Sequence, residues 1–172
     1  MNLTILTDGN KDFGYGHISR SKTLANFLIK HGYKVEIIIL SNIKLKSLFV
    51  RSNVIIDIPF NGDFLLKKIS DDFKVIGLDY IGSSKLDLVI NVFNYSRYKN
   101  NNQTTGLKYV IIRENVEKLI NESPENNNSV LIMLGAYDIN NYARNAIQFL
   151  EDKKIHTKVI EKEKNLITEN FK

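Results

Sequence analysis

The residues best suited to chemistry lie close together near the start of the chain, in the run Asp12-Phe13-Gly14-Tyr15-Gly16-His17-Ile18-Ser19-Arg20. Gly14 and Gly16 carry no side chain, so a ligand can approach the backbone there and the chain can take unusual dihedral angles. A helix starting after them presents free N–H groups and a partial positive charge, a setting that favours a phosphate or a developing oxyanion. His17 falls in its first turn. The positive helix end disfavours imidazolium, so a neutral imidazole is expected, able to take a proton from water or a sugar hydroxyl. The same residue would equally serve to cap the helix or bond a backbone carbonyl, and residue types alone leave both readings open. Arg20, one turn on, is placed to hold a carboxylate near the loop or to reach a ligand phosphate. Asp8 and Asp12 flank the loop and are placed to orient the His17 ring or cap the helix.

The glycine run is not a dinucleotide fingerprint, because the third glycine is absent and no acidic residue ends the second strand. It is not a phosphate-binding Walker loop either, since no Gly-Lys-Ser/Thr follows. His31 falls at the far end of the same helix, where a cation suits the dipole, and reads as structural. His156 lies in a predicted strand and is assigned no role. With three scattered histidines and no cysteine, neither a zinc site nor a disulfide is expected.

These residues need elements to position them, and the chain supplies short β-branched runs alternating with helical patterns. Strands are predicted over Leu3–Thr7, Val35–Leu40, Val54–Ile58, Lys74–Leu78, Leu86–Val92 and Lys108–Ile112. Ile18–His31 reads as a helix, with Leu24, Phe27, Leu28 and His31 on one stripe and Gly32 just past its end. Short helices are expected over Ile43–Phe49 and Asp63–Ser70. This alternation predicts an α/β domain with a Rossmann-like parallel sheet. Ligands of such a sheet sit at the carboxyl ends of the strands, where Thr7, Asp8, Asp57, Asp79, Asn91 and Arg113 fall.

Polar stretches at Tyr98–Thr105 and Asn121–Ser129 read as linkers, the second separating two units. Residues 1–120 form the expected first domain and 121–129 the linker. Residues 130–172 are an incomplete second α/β unit: a strand over Val130–Leu134, a helix over Asn140–Glu151, a strand over Ile155–Ile160 and a loose charged tail.

With 43% hydrophobic and 25% charged residues, the composition is that of an ordinary soluble globular protein. No apolar run is long enough to span a bilayer, and Met1–Asn10 lacks the pattern of a signal peptide, so a cytoplasmic location is expected. The formal charge of +5 is spread along the chain without an arginine-rich arm or base-stacking motif, which argues against nucleic acid as the partner.

Residues 14–28, GYGHISRSKTLANFL, resemble the G-x-G-H-x-x-R-x-x-x-L-A segment of a bacterial sugar-nucleotide hydrolase family. That family removes UDP from UDP-2,4-diacetamido-2,4,6-trideoxy-β-L-altropyranose in pseudaminic acid synthesis, and is grouped with spore-coat polysaccharide biosynthesis proteins. Three further segments resemble the family in the same order: VIGLDYIGSSKLDLVINVFNY, GLKYVIIRENV and SVLIMLGAYDINNYARNAIQFL. The resemblance implies a glycosyltransferase-B-type fold and a first domain closed by the Arg113 segment. It also implies that His17 is a general base activating water to displace UDP with inversion, with no metal or cofactor required. Gly14, Tyr15 and Gly16 would wrap the diphosphate or sugar, while Arg20, Asp79, Asn91 and Arg113 would line or support the cleft. Two positions depart from the pattern: Asp57 is followed by Ile58-Pro59-Phe60 rather than by a tyrosine two residues on, and Gly135-Ala136 replaces a Gly-Gly pair. In the family the second domain supplies most uridine contacts, so a complementary second-domain chain or a second copy of this chain is the expected partner. The other functions weighed are the acceptor-binding half of a split glycosyltransferase and a non-catalytic sugar-binding or assembly module.

Overall fold

The computed structural model describes residues 1–93, 102–119, 129–132, 142–161 and 166–170. The chain forms two compact units, Met1–Leu119 and Ile120–Lys172. The first contains β1 (Asn2–Thr7), α1 (Gly16–Lys30), β2 (Lys34–Ile39), β3 (Asn53–Asp57), α2 (Asp63–Leu66), β4 (Val75–Leu78), β5 (Leu88–Asn91), β6 (Gln103–Thr105) and α3 (Glu114–Leu119). Its six strands are all parallel, in the order β2-β1-β3-β4-β5-β6, which makes this an α/β unit of Rossmann-like arrangement. The chain runs from β1 to β2 on one side and returns to β3 on the other. The crevice at the carboxyl ends of β1 and β3 is therefore the topological switch point, the place where such sheets receive ligands.

Alternation along the strands builds a core on each face. Ile5, Ile55 and Leu78 pack with Ala25, Leu24 and Leu28 of α1. Leu6, Val54 and Ile56 point the other way, onto Leu40, Leu48, Leu65 and Leu86. Ile5, Leu6, Ile56 and Leu65 are fully buried, each removal from water contributing roughly 1.5–3 kcal/mol. Both sheet faces are thus apolar, which is why the strands read as near-continuous hydrophobic runs. The end of α1 follows from Gly32, whose φ of 86° closes a two-bond cap in which Gly32 N–H donates to Ile29 and Tyr33 N–H donates to Leu28.

Several sequence expectations are corrected. Phe27 and His31 do not face the core: Phe27 is exposed and its ring lies against His31, while Ala25 takes the buried position. Ile43–Phe49 does not form the expected α-helix; two 3₁₀ turns, Leu40–Asn42 and Leu45–Ser47, stand there instead. The helix expected over Asp63–Ser70 is only the four-residue α2. The last strand is Gln103–Thr105, inside the stretch read as a linker, and not Lys108–Ile112. A polar strand is tolerated at a sheet edge, and Gly106, at φ 134°, ends it before a 3₁₀ turn over Leu107–Tyr109.

The second unit contains β7 (Ser129–Ile132), α4 (Tyr142–Asp152), β8 (His156–Glu161) and β9 (Leu166–Asn170). β7 and β8 are parallel and joined through α4, whose Ala143, Ala146, Ile147 and Leu150 cluster with Ile132. The tail expected to be loose instead adds β9, antiparallel to β8. The linker residues 121–128 and the Gly135-Ala136 loop lie outside the described residues.

Candidate functional site

The site is assembled from one helix face and three strand ends. His17, Arg20 and Ser21 stand at i, i+3 and i+4 on α1, so they share a face. The same face continues into Leu24, Ala25 and Leu28, which bury against the sheet. The stripe is apolar over the middle of the sheet and polar where it passes the carboxyl edge, and there it meets Asp57, the last residue of β3.

Asp57 is fully buried and accepts four hydrogen bonds. His17 Nδ1 lies 2.7 Å from Oδ1, Arg20 Nε 3.1 Å from Oδ2 and Ser21 Oγ 3.0 Å from Oδ2, and Arg20 Nη2 donates to Oδ1. Burial works against ionisation of this carboxyl, but the hydrogen bonds from His17 and Arg20 and the charge of Arg20 outweigh it and hold Asp57 below the usual carboxylate range. A carboxylate so placed makes Nδ1 the protonated nitrogen of His17 and leaves Nε2 as the basic one. The ring is thereby oriented as a general base is oriented in a nucleophile-activating triad.

Arg20 also donates through Nη1 to Asp79. Burial lowers the tendency of its guanidinium to stay charged, but the two carboxylates more than reverse this and raise its pKa further above its already high value. Of the two roles open to Arg20, the structure takes the first: one positive charge is shared between two carboxylates, rather than held free for a phosphate.

Asp79 follows β4 with φ at 45°, a left-handed conformation uncommon outside glycine. That turn lets its N–H donate to Ile90 C=O (2.9 Å) and its Oδ1 accept Val92 N–H (2.9 Å), tying the ends of β4 and β5 together. Asn91 lies between those two anchors.

A cavity of about 740 Å³ opens over this edge. Its polar wall is His17, Arg20, Asp79 and Asn91, with Gly16 beside them, and its apolar wall includes Phe13, Pro59, Tyr80 and Phe93. Tyr80 is fixed by a hydrogen bond to Asp63 (2.7 Å), and burial together with that carboxylate raises its pKa, so it remains a phenol. Asp63 in turn also accepts the N–H groups of Ser83 and Ser84, which hold its pKa down against the opposing effect of burial.

Of the residues singled out from the sequence, His17, Gly16, Arg20, Asp79 and Asn91 come together around the cavity. Gly14, at φ 77°, shapes the loop, and Tyr15 takes the position before the first helical residue; neither is among the lining residues. Arg113 is exposed at the start of α3, where its carbonyl accepts the N–H groups of Val116 and Glu117, and it does not line this cavity. The expected orienting role of Asp8 and Asp12 belongs to Asp57. Asp8 accepts Gly9 N–H instead, and Asp12 is exposed, giving its N–H to Asn10. The signal that would have found Asp57 is the polar i, i+3, i+4 set on an otherwise apolar helix face, which requires a buried acceptor opposite.

No protein-family model, curated protein or solved structure matches this chain.

Proposed function

We propose that the chain is a sugar-nucleotide hydrolase of surface-polysaccharide synthesis, acting in the cytoplasm on a UDP-linked diacetamido-trideoxy sugar. The observation that carries this reading is the His17–Asp57 pair, 2.7 Å apart, at the wall of a cavity beside a glycine loop and a helix N-terminus. Asp57 holds the Nδ1 proton, so Nε2 accepts a proton from water. The water oxygen attacks the anomeric carbon from the face opposite the leaving group, and the bond from that carbon to the β-phosphate oxygen breaks. UDP leaves with the bonding electrons, and the released sugar carries inverted configuration. The first N–H groups of α1 suit the diphosphate, since Arg20 is already engaged by Asp57 and Asp79.

The test is UDP release from a panel of UDP-linked acetamido sugars, with product configuration followed by NMR. Release with inversion, strongly reduced by His17→Asn, is expected. Absence of UDP release from every sugar in the panel would overturn the reading.

A second reading, a half that works with a complementary chain, is supported by the exposed Leu131, Tyr142 and Phe149 of the second unit. Size-exclusion chromatography with light scattering separates a self-associating chain from a monomer.

A further inference from the structure

Asn91 is 5% exposed, and its side-chain oxygen has no hydrogen-bond partner among the described residues. A buried acceptor without a donor is costly, and natural structures rarely retain one without a use. Thr7 Oγ1 is in the same condition, but Thr7 does not line the cavity, whereas Asn91 does.

Asn91 is also held rigidly. The residue before it accepts the N–H of Asp79, the residue after it donates to Asp79 Oδ1, and its own C=O accepts Gly106 N–H at 3.1 Å. The left-handed Asp79 therefore fixes the backbone on both sides of a side chain whose acceptor is unused. Strain and clamping of this kind at a cavity wall are the marks of a preorganised contact.

We infer that the Asn91 carboxamide oxygen is a specificity determinant of this cavity, accepting a hydrogen bond from a neutral N–H or O–H donor on the sugar. An acceptor oxygen repels phosphate oxygens, so Asn91 marks the sugar end of the ligand and leaves the diphosphate to the glycine loop and the start of α1. The inference rests on the sugar-nucleotide reading for the identity of the ligand, but not for the existence of the contact.

The test is an amide NMR titration of the whole chain and of its Asn91→Leu variant, which keeps the branched shape of the side chain and removes the acceptor. The probes are methyl N-acetylglucosaminide and its fully O- and N-methylated counterpart, which retains acceptors but has no donors. The parent is expected to prefer the donor-bearing glycoside by about tenfold, with the Asn91 side-chain amide signals shifting, and Asn91→Leu to bind the two alike. Equal binding of both probes by the parent, no binding of either, or a preference that survives in Asn91→Leu would each overturn the assignment. If Asn91→Leu does not fold, the parent's preference and the Asn91 signals decide alone. The UDP-release assay separates the two proposals. A parent that prefers the donor probe but releases no UDP loses the hydrolase reading and keeps the Asn91 contact. A parent that releases UDP but shows no preference keeps the former and loses the latter.

Discussion

His17 Nδ1 sits 2.7 Å from the Oδ1 of Asp57, forty residues away in sequence and at the end of the neighbouring strand system. The pair joins the first turn of α1 to the end of β3 across the switch point of the sheet. His31, at the other end of the helix, bonds Phe27 C=O and lies against the Phe27 ring. His17→Asn should retain the fold and reduce UDP release by roughly 10²–10⁴-fold, the range for loss of a general base. His31→Asn should leave it unchanged. Steady-state UDP release for the two variants checks this, and full activity in His17→Asn would leave His17 a helix-end histidine only.

Asp57→Asn tests the same pair from the other side. The buried carboxylate serves Arg20, Ser21 and His17 at once, so its replacement leaves the half-buried Arg20 guanidinium with Asp79 as its one remaining carboxylate. Removing one partner of a buried ion pair costs about 3–5 kcal/mol. A urea unfolding midpoint that falls substantially in Asp57→Asn is expected, and an unchanged midpoint would show that the network carries no stability.

The sheet was legible because its strands are buried on both faces, and Val54–Ile58 or Leu3–Thr7 can be little else. His17 in the first helical turn followed from the glycines before it. Asp57 as the partner of His17 was not legible in the same way, because pairing depends on strand order: only when β3 lies next to β1 does its last residue meet α1. Gln103–Thr105 was missed for a related reason. An edge strand needs only one neighbour and no apolar face, so its composition resembles that of a loop. Arg113 shows the converse, a charged residue after an apolar run whose strand does not form, which leaves it outside the cavity.

The acid limb of stability should carry the signature of Asp57. Its carboxyl lies below the usual range in the folded chain, so folding favours the ionised form. That contribution is fully present above the unfolded carboxylate value of about 3.9 and is lost as pH falls through the lower folded value. Urea midpoints of the parent and Asp57→Asn should differ by a constant amount from pH 6 to about pH 4 and converge below it. Curves that stay parallel to pH 2.5 would contradict the assignment.

Asp79 combines a backbone and a charge role that two variants separate. Asn tolerates the left-handed region and can still accept Val92 N–H, so Asp79→Asn loses chiefly the Arg20 contact. Asp79→Ala loses the acceptor as well and places an ordinary side chain at φ 45°. The alanine variant should be less stable than the asparagine variant by about 1–2 kcal/mol, the cost of the left-handed conformation. Thermal unfolding of the two, compared at one temperature, measures it; equal stabilities would mean that the loop relaxes freely.

Two glycines near the site should respond oppositely to the same added methyl group. A Cβ at Gly77, inside β4, would stand 2.6 Å from Tyr80 Cβ and 2.9 Å from Leu86 Cδ1, so strand and core must shift. Gly77→Ala should destabilise the chain by about 1–3 kcal/mol, the usual cost of overpacking. A Cβ at Gly16 would meet nothing within 4 Å, and Gly16 has no left-handed φ to protect. Its stability should be unchanged or slightly raised by alanine, a better helix former. Yet Gly16 lines the cavity, where that methyl group occupies space beside His17. One extra methyl-sized group in a fitted pocket costs about tenfold or more in kcat/KM. Gly16→Ala should therefore keep its unfolding midpoint while losing UDP release, and Gly77→Ala should lose its midpoint first. A Gly16→Ala chain with full kcat/KM would place the ligand away from the first turn of α1, and with it the role assigned to the glycine loop.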